Sequence, residues 1–123
     1  MLAIGPNDRL YLFHEPTDMR KGFDGLSGLV RNHLKENPLD GNIYIFINKS
    51  RDRIKLLRFE GDGFAIYYKR LESGRIELPP RVNEEKKVKI DHATIMMMLQ
   101  GIGLMQCKKY KRFSFSSVHK RSF

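Results

Sequence analysis

Residues 42–48 read NIYIFIN, and this stretch constrains the fold more than any other. Taken with a period of two, Ile43, Ile45 and Ile47 fall on one face while Tyr44 and Phe46 fall on the other. A strand that is apolar on both faces reads as a central strand of a sheet. The runs around it are consistent with that assignment. RLYLFH (residues 9–14) alternates and reads as a first strand, ended by Pro16. RIKLLRFE and FAIYYKRLE follow NIYIFIN, separated by GDG. The Asp62-Gly63 pair predicts a hairpin with a two-residue type I′ turn. That turn would set Lys55 opposite Arg70, Leu57 opposite Tyr68 and Glu72 opposite Arg53. SGR at residues 73–75 predicts a further tight turn into IELPP, and RVNEEKKV reads as a loop or an irregular edge.

Two segments change the period from two to that of a helix. Met19, Phe23, Leu26, Val30 and Leu34 recur at spacings of three and four, which predicts a helix from Thr17 or Asp18, either a good N-cap, to about Lys35. KIDHATIMMMLQGIGL predicts a second helix capped by Asp91 and ended by Gly101 or Gly103, with Ile95, Met96, Met98 and Leu99 on its buried face. The expected fold class is α+β: a small single domain over residues 1–107, with an antiparallel β-meander packed against one N-terminal helix and a second short helix near the C-terminus. Gly22, Gly25 and Gly28 each weaken the first helix by about 1 kcal/mol relative to alanine. They flank its apolar stripe and suggest close approach of the helix backbone to the sheet or to another surface.

Charge divides the 123-residue chain unevenly. Residues 108–123 hold six of the 23 lysines and arginines and none of the 14 acids, and so carry six of the nine excess positive charges. This segment is expected to be a basic tail with the character of a disordered arm, and such an arm suits a polyanion. The single cysteine, Cys107, cannot form an internal bridge and fits a reducing compartment. The N-terminal MLAIGPNDRL lacks the pattern of a secretory signal, and the longest apolar-leaning run, about 13 residues, is too short to span a bilayer. A cytoplasmic location without membrane contact is expected.

Catalytic constellations are not evident. His14, His33, His92 and His119 stand at no helical or hairpin ligand spacing, and the lone cysteine completes no zinc pattern. No serine lies in a nucleophile elbow, and GDG and GIG are too short to cradle a nucleotide. The acids that could hold catalytic metal ions, Asp18, Asp24, Asp52, Glu60 and Asp62, each have a local use as a cap, a turn residue or a partner of Arg20. No enzymatic activity, metal or cofactor is therefore expected. What remains is basic and aromatic. Strand period puts Arg51, Arg53 and Lys55 on one face, with Arg70 nearby, and like charges set opposite one another favour an anion above them. Tyr67 and Tyr68 give each face of the sheet an aromatic ring, one of which could stack on a base. Arg20 and Lys21, at the predicted helix start, add positive charge where a helix already attracts anions. The candidate DNA-binding residues are Arg20, Lys21, Arg53, Lys55, Lys69 and Arg70, with Lys108, Lys109, Lys111 and Arg112 in the tail.

Two longer stretches carry a resemblance. PTDMRKGFDGL and DRIKLLRFEGDGFAIYYKRLESGRI, in this order and at this distance, resemble the small accessory protein of the insertion-sequence-66 family of bacterial transposable elements. That protein is often labelled TnpB or the second-open-reading-frame protein, and is distinct from the RNA-guided nuclease sharing the label. The similarity covers roughly residues 2–79, and the MLQGIGL stretch further on is similar too. Pro16 to Lys21, Phe23, Gly25 and Leu26 match the first motif; Arg53, Lys55, Gly61, Gly63, Tyr68 to Leu71 and Gly74 match the second. Where the family usually has a pair of tryptophans, this chain has Arg58-Phe59. The resemblance implies a role in transposition beside a separate, larger transposase that carries the catalytic acids. The expected partners are DNA and that transposase; the alternative is an adaptor that assists the transposase without touching DNA.

Overall fold

The computed structural model describes residues 3–81 and 84–100. In chain order the elements are β1 (Leu10–Phe13), α1 (Phe23–Asn32), β2 (Ile43–Ile47), β3 (Arg53–Phe59), β4 (Phe64–Arg70), β5 (Lys87–Ile90) and α2 (His92–Gln100). The strands form one sheet in the order β4-β3-β2-β1-β5, with β2 in the middle as its two apolar faces demand. Strands β2, β3 and β4 are the expected antiparallel meander. Strand β1 runs parallel to β2, joined to it through α1, and antiparallel to β5, so the sheet is mixed.

The alternation along β2 sorts the core into two layers. Ile43, Ile45 and Ile47 join Leu10, Leu12, Ile54, Leu56 and Ile90 beneath α2, which contributes Ile95 and Met98. Tyr44 and Phe46 join Phe13 and Leu57 beneath Leu26, Val30 and Leu34, from α1 and the turn that follows it. All five residues of β2 are buried. The domain is thus α+β with a helix on each face of the sheet; of the methionine run in α2, Met98 is buried in the core and Met96 packs partly against it. Asp91 caps α2: its carboxylate accepts the Thr94 N–H at 2.8 Å, and hydrogen bonding from the Thr94 side chain and backbone holds its pKa below the usual range.

Three local expectations are corrected. The meander hairpin turns one residue earlier than Asp62-Gly63. The Glu60 N–H donates to the Gly63 carbonyl at 2.8 Å, so the central residues are Gly61 and Asp62, and Gly61, with φ 95°, takes the left-handed position. A one-residue slide of the turn moves the register by two. Arg53 therefore faces Arg70, Lys55 faces Tyr68 and Leu57 faces Ile66. Second, KVKI is a true strand: Val88 and Ile90 point into the α2 layer, while Lys87 reaches Glu36 and lies 5.3 Å from the Tyr11 ring centroid. IELPP adds no strand, although Ile76 is buried and its N–H donates to the Arg51 carbonyl.

Third, α1 begins at Phe23 and not at Thr17 or Asp18, with Gly22 at the N-cap position and no side-chain cap. Residues 16–22 form a separate loop. The glycines do not mark close backbone packing, because a methyl group at Gly22 or Gly28 would meet open space. At Gly25 it would press on the Lys21 side chain at 2.9 Å, so that glycine leaves room for the lysine.

Candidate nucleic-acid interface

The loop at 16–22 is held by backbone bonds at both ends. The Thr17 N–H donates to the Ile47 carbonyl at the end of β2, and the Lys21 N–H closes a turn on the Asp18 carbonyl. Asp18 folds back on Arg20, accepting its backbone N–H at 2.9 Å and its guanidinium at 2.7 Å. Those bonds hold the Asp18 carboxyl well below its ordinary value, at about 2. The Arg20 side chain nonetheless stays 91% exposed.

Lys55 supplies the third anchor and departs furthest from its expected place. It is not on an open basic face but only 8% exposed. Its ammonium donates to the carbonyls of Met19 and Lys21, both at 2.8 Å, and lies 4.6 Å from the centroid of Tyr68. A buried ammonium is tolerable when its protons have acceptors, and here two carbonyls and a ring face supply them. Lys55 thus ties the loop to the sheet.

Arg53, two residues earlier on the same face, is half-buried, and its guanidinium has a weak 3.5 Å contact with the Tyr68 hydroxyl. Arg70, directly across the hairpin, is exposed and pairs with the exposed Glu72 at 2.9 Å. Lys69 points to the other face, where its ammonium meets the Leu99 carbonyl near the end of α2. The candidate set is therefore divided. Arg20, Lys21, Arg53 and Arg70 share the α1 side of the sheet, Lys55 lies beneath them as a support, and Lys69 stands apart. Lys108, Lys109, Lys111 and Arg112 lie outside the described residues.

Between the loop and the β2–β3 turn lies an open groove of about 440 Å3, lined by Thr17, Asp18, Arg20, Lys49, Ser50 and Arg53 among others. Thr17 is buried, and its hydroxyl has no hydrogen-bond partner among the described residues. A second groove of about 280 Å3 lies beside Pro16, Asn48 and Lys49, where Arg51 and Arg75 also line it. The turn that separates the grooves is rigidly built. The Asn48 side chain accepts the N–H groups of Asp52 and Arg53 and donates to the Asp52 carboxylate, and Arg51 takes a left-handed φ of 60°. Lys49, Arg51 and Arg75 are exposed at this end of the sheet and were not among the expected site residues. The signal for two of them was the KSRDR run, three cations in a tight turn.

Arg58 works at the opposite end of β3. Its guanidinium donates to the carbonyls of Gly41 and Ala3 and pairs with Asp8. Asp8 also accepts the Gly5 N–H, and that bond together with Arg58 lowers its pKa. Among the described residues no three His, Cys, Asp or Glu side chains gather as a metal site, and no helix is long and apolar enough to cross a membrane.

Comparison with known proteins agrees with the motifs. An uncharacterized protein of Sinorhizobium fredii, y4hO, is 37% identical over 102 residues, which cover 83% of this chain and 87% of that protein. A second from the same organism, y4jC, is 37% identical over 79 residues, covering 63% of this chain and 68% of its own length. No solved structure matches. Residues 8–109 match the family described as IS66 Orf2 like protein, and the chain belongs to that family.

Proposed function

We propose that this protein is an accessory factor in transposition of an insertion-sequence-66 element and that it binds DNA through the β2–β3 end of its sheet. The observation that carries this reading is the gathering of Arg20, Lys49, Arg51, Arg53 and Arg75 around two grooves at one end of the sheet, with Arg70 across the hairpin from Arg53. These residues come from three separate stretches of sequence. Of the acids at this end, Asp18 and Glu72 pair with arginines and Asp52 accepts from Asn48, while exposed Glu15 lines the second groove. Such a surface offers several cations to a phosphate backbone, and the basic tail adds more. Chemistry on DNA belongs, in this reading, to the separate transposase.

The test is fluorescence anisotropy of the full chain with labelled duplex DNA across a salt series. Contact with about four phosphates gives a slope of log affinity on log salt near −3 to −4. A flat response between low and moderate salt would remove the reading. A second reading, an adaptor for the transposase, draws on β4. Among the described residues this seven-residue strand has no neighbour on its outer edge, and an open edge can accept a strand from a partner. Recovery of the transposase with a charge-depleted variant that has lost DNA affinity would favour the adaptor.

A further inference from the structure

We propose that the exposed rings of Tyr68 and Phe23 form a stacking platform for unpaired DNA bases, so that the preferred ligand is a single strand. This rests on the DNA-binding reading above and names the form of DNA. Tyr68 is 47% exposed and Phe23 is 51% exposed, so both rings are open to a ligand. Both lie on the α1 side of the sheet. Lys55 connects them: its ammonium sits over the Tyr68 ring and holds the carbonyls of Met19 and Lys21, just before Phe23 opens α1.

The Tyr68 ring is held before any ligand arrives. Lys55 occupies one side of it and the Arg53 guanidinium reaches its hydroxyl. A ring already fixed in place loses little conformational freedom when a base stacks on it. The surroundings specify the charge of the occupant. Arg53 and Arg70 stand directly opposite across the hairpin; Glu72 partly neutralises Arg70, while Arg53 keeps its charge beside the Tyr68 ring. A second copy laid on this surface about a two-fold axis would bring these same cations against their own counterparts. A nucleic-acid strand brings phosphates to the cations and bases to the rings. In a duplex the base faces are already stacked, so the rings gain nothing there.

The experiment measures affinity of the full chain for a labelled mixed-sequence single strand and for its duplex at one salt concentration. Tyr68→Leu, Tyr68→Phe and Phe23→Leu are compared, with folding followed by circular dichroism. A strand carrying 2-aminopurine reports stacking directly. The expected result is single-strand binding at least about tenfold tighter than duplex binding, and loss of that preference in Tyr68→Leu. Tyr68→Phe keeps the ring and retains the preference, which separates stacking from a folding defect. Equal or tighter duplex binding overturns the platform while leaving the DNA reading intact. Absence of binding to either form overturns both. If Tyr68→Leu changes the sedimentation state but not single-strand affinity, the surface belongs to a second copy and the proposal falls.

Discussion

The two ends of β3 each carry an arginine, and the pair shows how a fold decides what a cation is for. Arg58 at one end has two carbonyls and the Asp8 carboxylate around its guanidinium, and its side chain is only 18% exposed. Among the described residues, Arg53 at the other end has one weak contact, to a tyrosine hydroxyl, and borders an open groove. Where the protein supplies the acceptors, the cation belongs to the structure and clamps distant segments together. Where it does not, the cation is left for an external anion. Lys55 lies between them and belongs with Arg58, although its position in the strand suggests Arg53.

The sharpest way to break this comparison is Arg58→Met. It leaves Asp8 without its ion pair and frees the segment before β1, and it should cost about 2–4 kcal/mol and lower Tm by about 10 °C or more. DNA affinity per folded molecule should not change. A variant that melts normally would show that the clamp does not stabilise the fold. Lys55→Met comes next. It removes two charge-assisted hydrogen bonds but also the desolvation of the ammonium, so a loss of about 1–2 kcal/mol is expected in chemical denaturation. Amide hydrogen exchange should rise across residues 17–22 and remain unchanged in β2. Equal protection in loop and sheet would contradict the role given to Lys55.

At the open end the effects should move from stability to binding. Lys49→Ala combined with Arg53→Ala should change stability by no more than about 0.5 kcal/mol, weaken duplex binding about tenfold at low salt and flatten the salt slope by about two. A large loss of stability with unchanged affinity would make the two ends of β3 alike.

How far the sequence reached depends on which acceptors it can display. The central strand and its two faces were legible in NIYIFIN, because five consecutive apolar residues leave no polar side to expose. The turn between β3 and β4 was not, because EGDGF offers Asp62-Gly63 and Gly61-Asp62 alike. Three-dimensional contacts choose the second by setting Phe59 across from Phe64, with ring centroids 5.2 Å apart. Strand β5 was hidden in a lysine-rich stretch that makes sense only once Glu36 and Tyr11 are seen to receive Lys87. Lys55 misled for a related reason. Its partners are backbone carbonyls more than thirty residues away, and a carbonyl leaves no mark on the residue type that bears it. The family motifs were legible, but a motif does not distinguish the residues that build a loop from those the loop presents.

The smallest effect probes the open end most finely. Asp18 neutralises Arg20 at the rim of the groove, so Asp18→Asn removes one negative charge while an amide oxygen can still accept the Arg20 N–H. Duplex affinity should rise about two- to threefold at low salt, and the gain should fade as salt is raised. The pH dependence has a definite sign. Arg20 lowers the Asp18 pKa to about 2, so the pair is complete above the ordinary carboxylate value and is lost only as pH falls towards 2. Between pH 5 and pH 8 the ratio of variant to parent affinity should therefore be constant. A ratio that drifts across that range would place another titrating group in the groove. An affinity unchanged by the substitution would mean that Arg20, despite its exposure, faces away from the bound DNA, and that the interface is centred on Lys49 and Arg53.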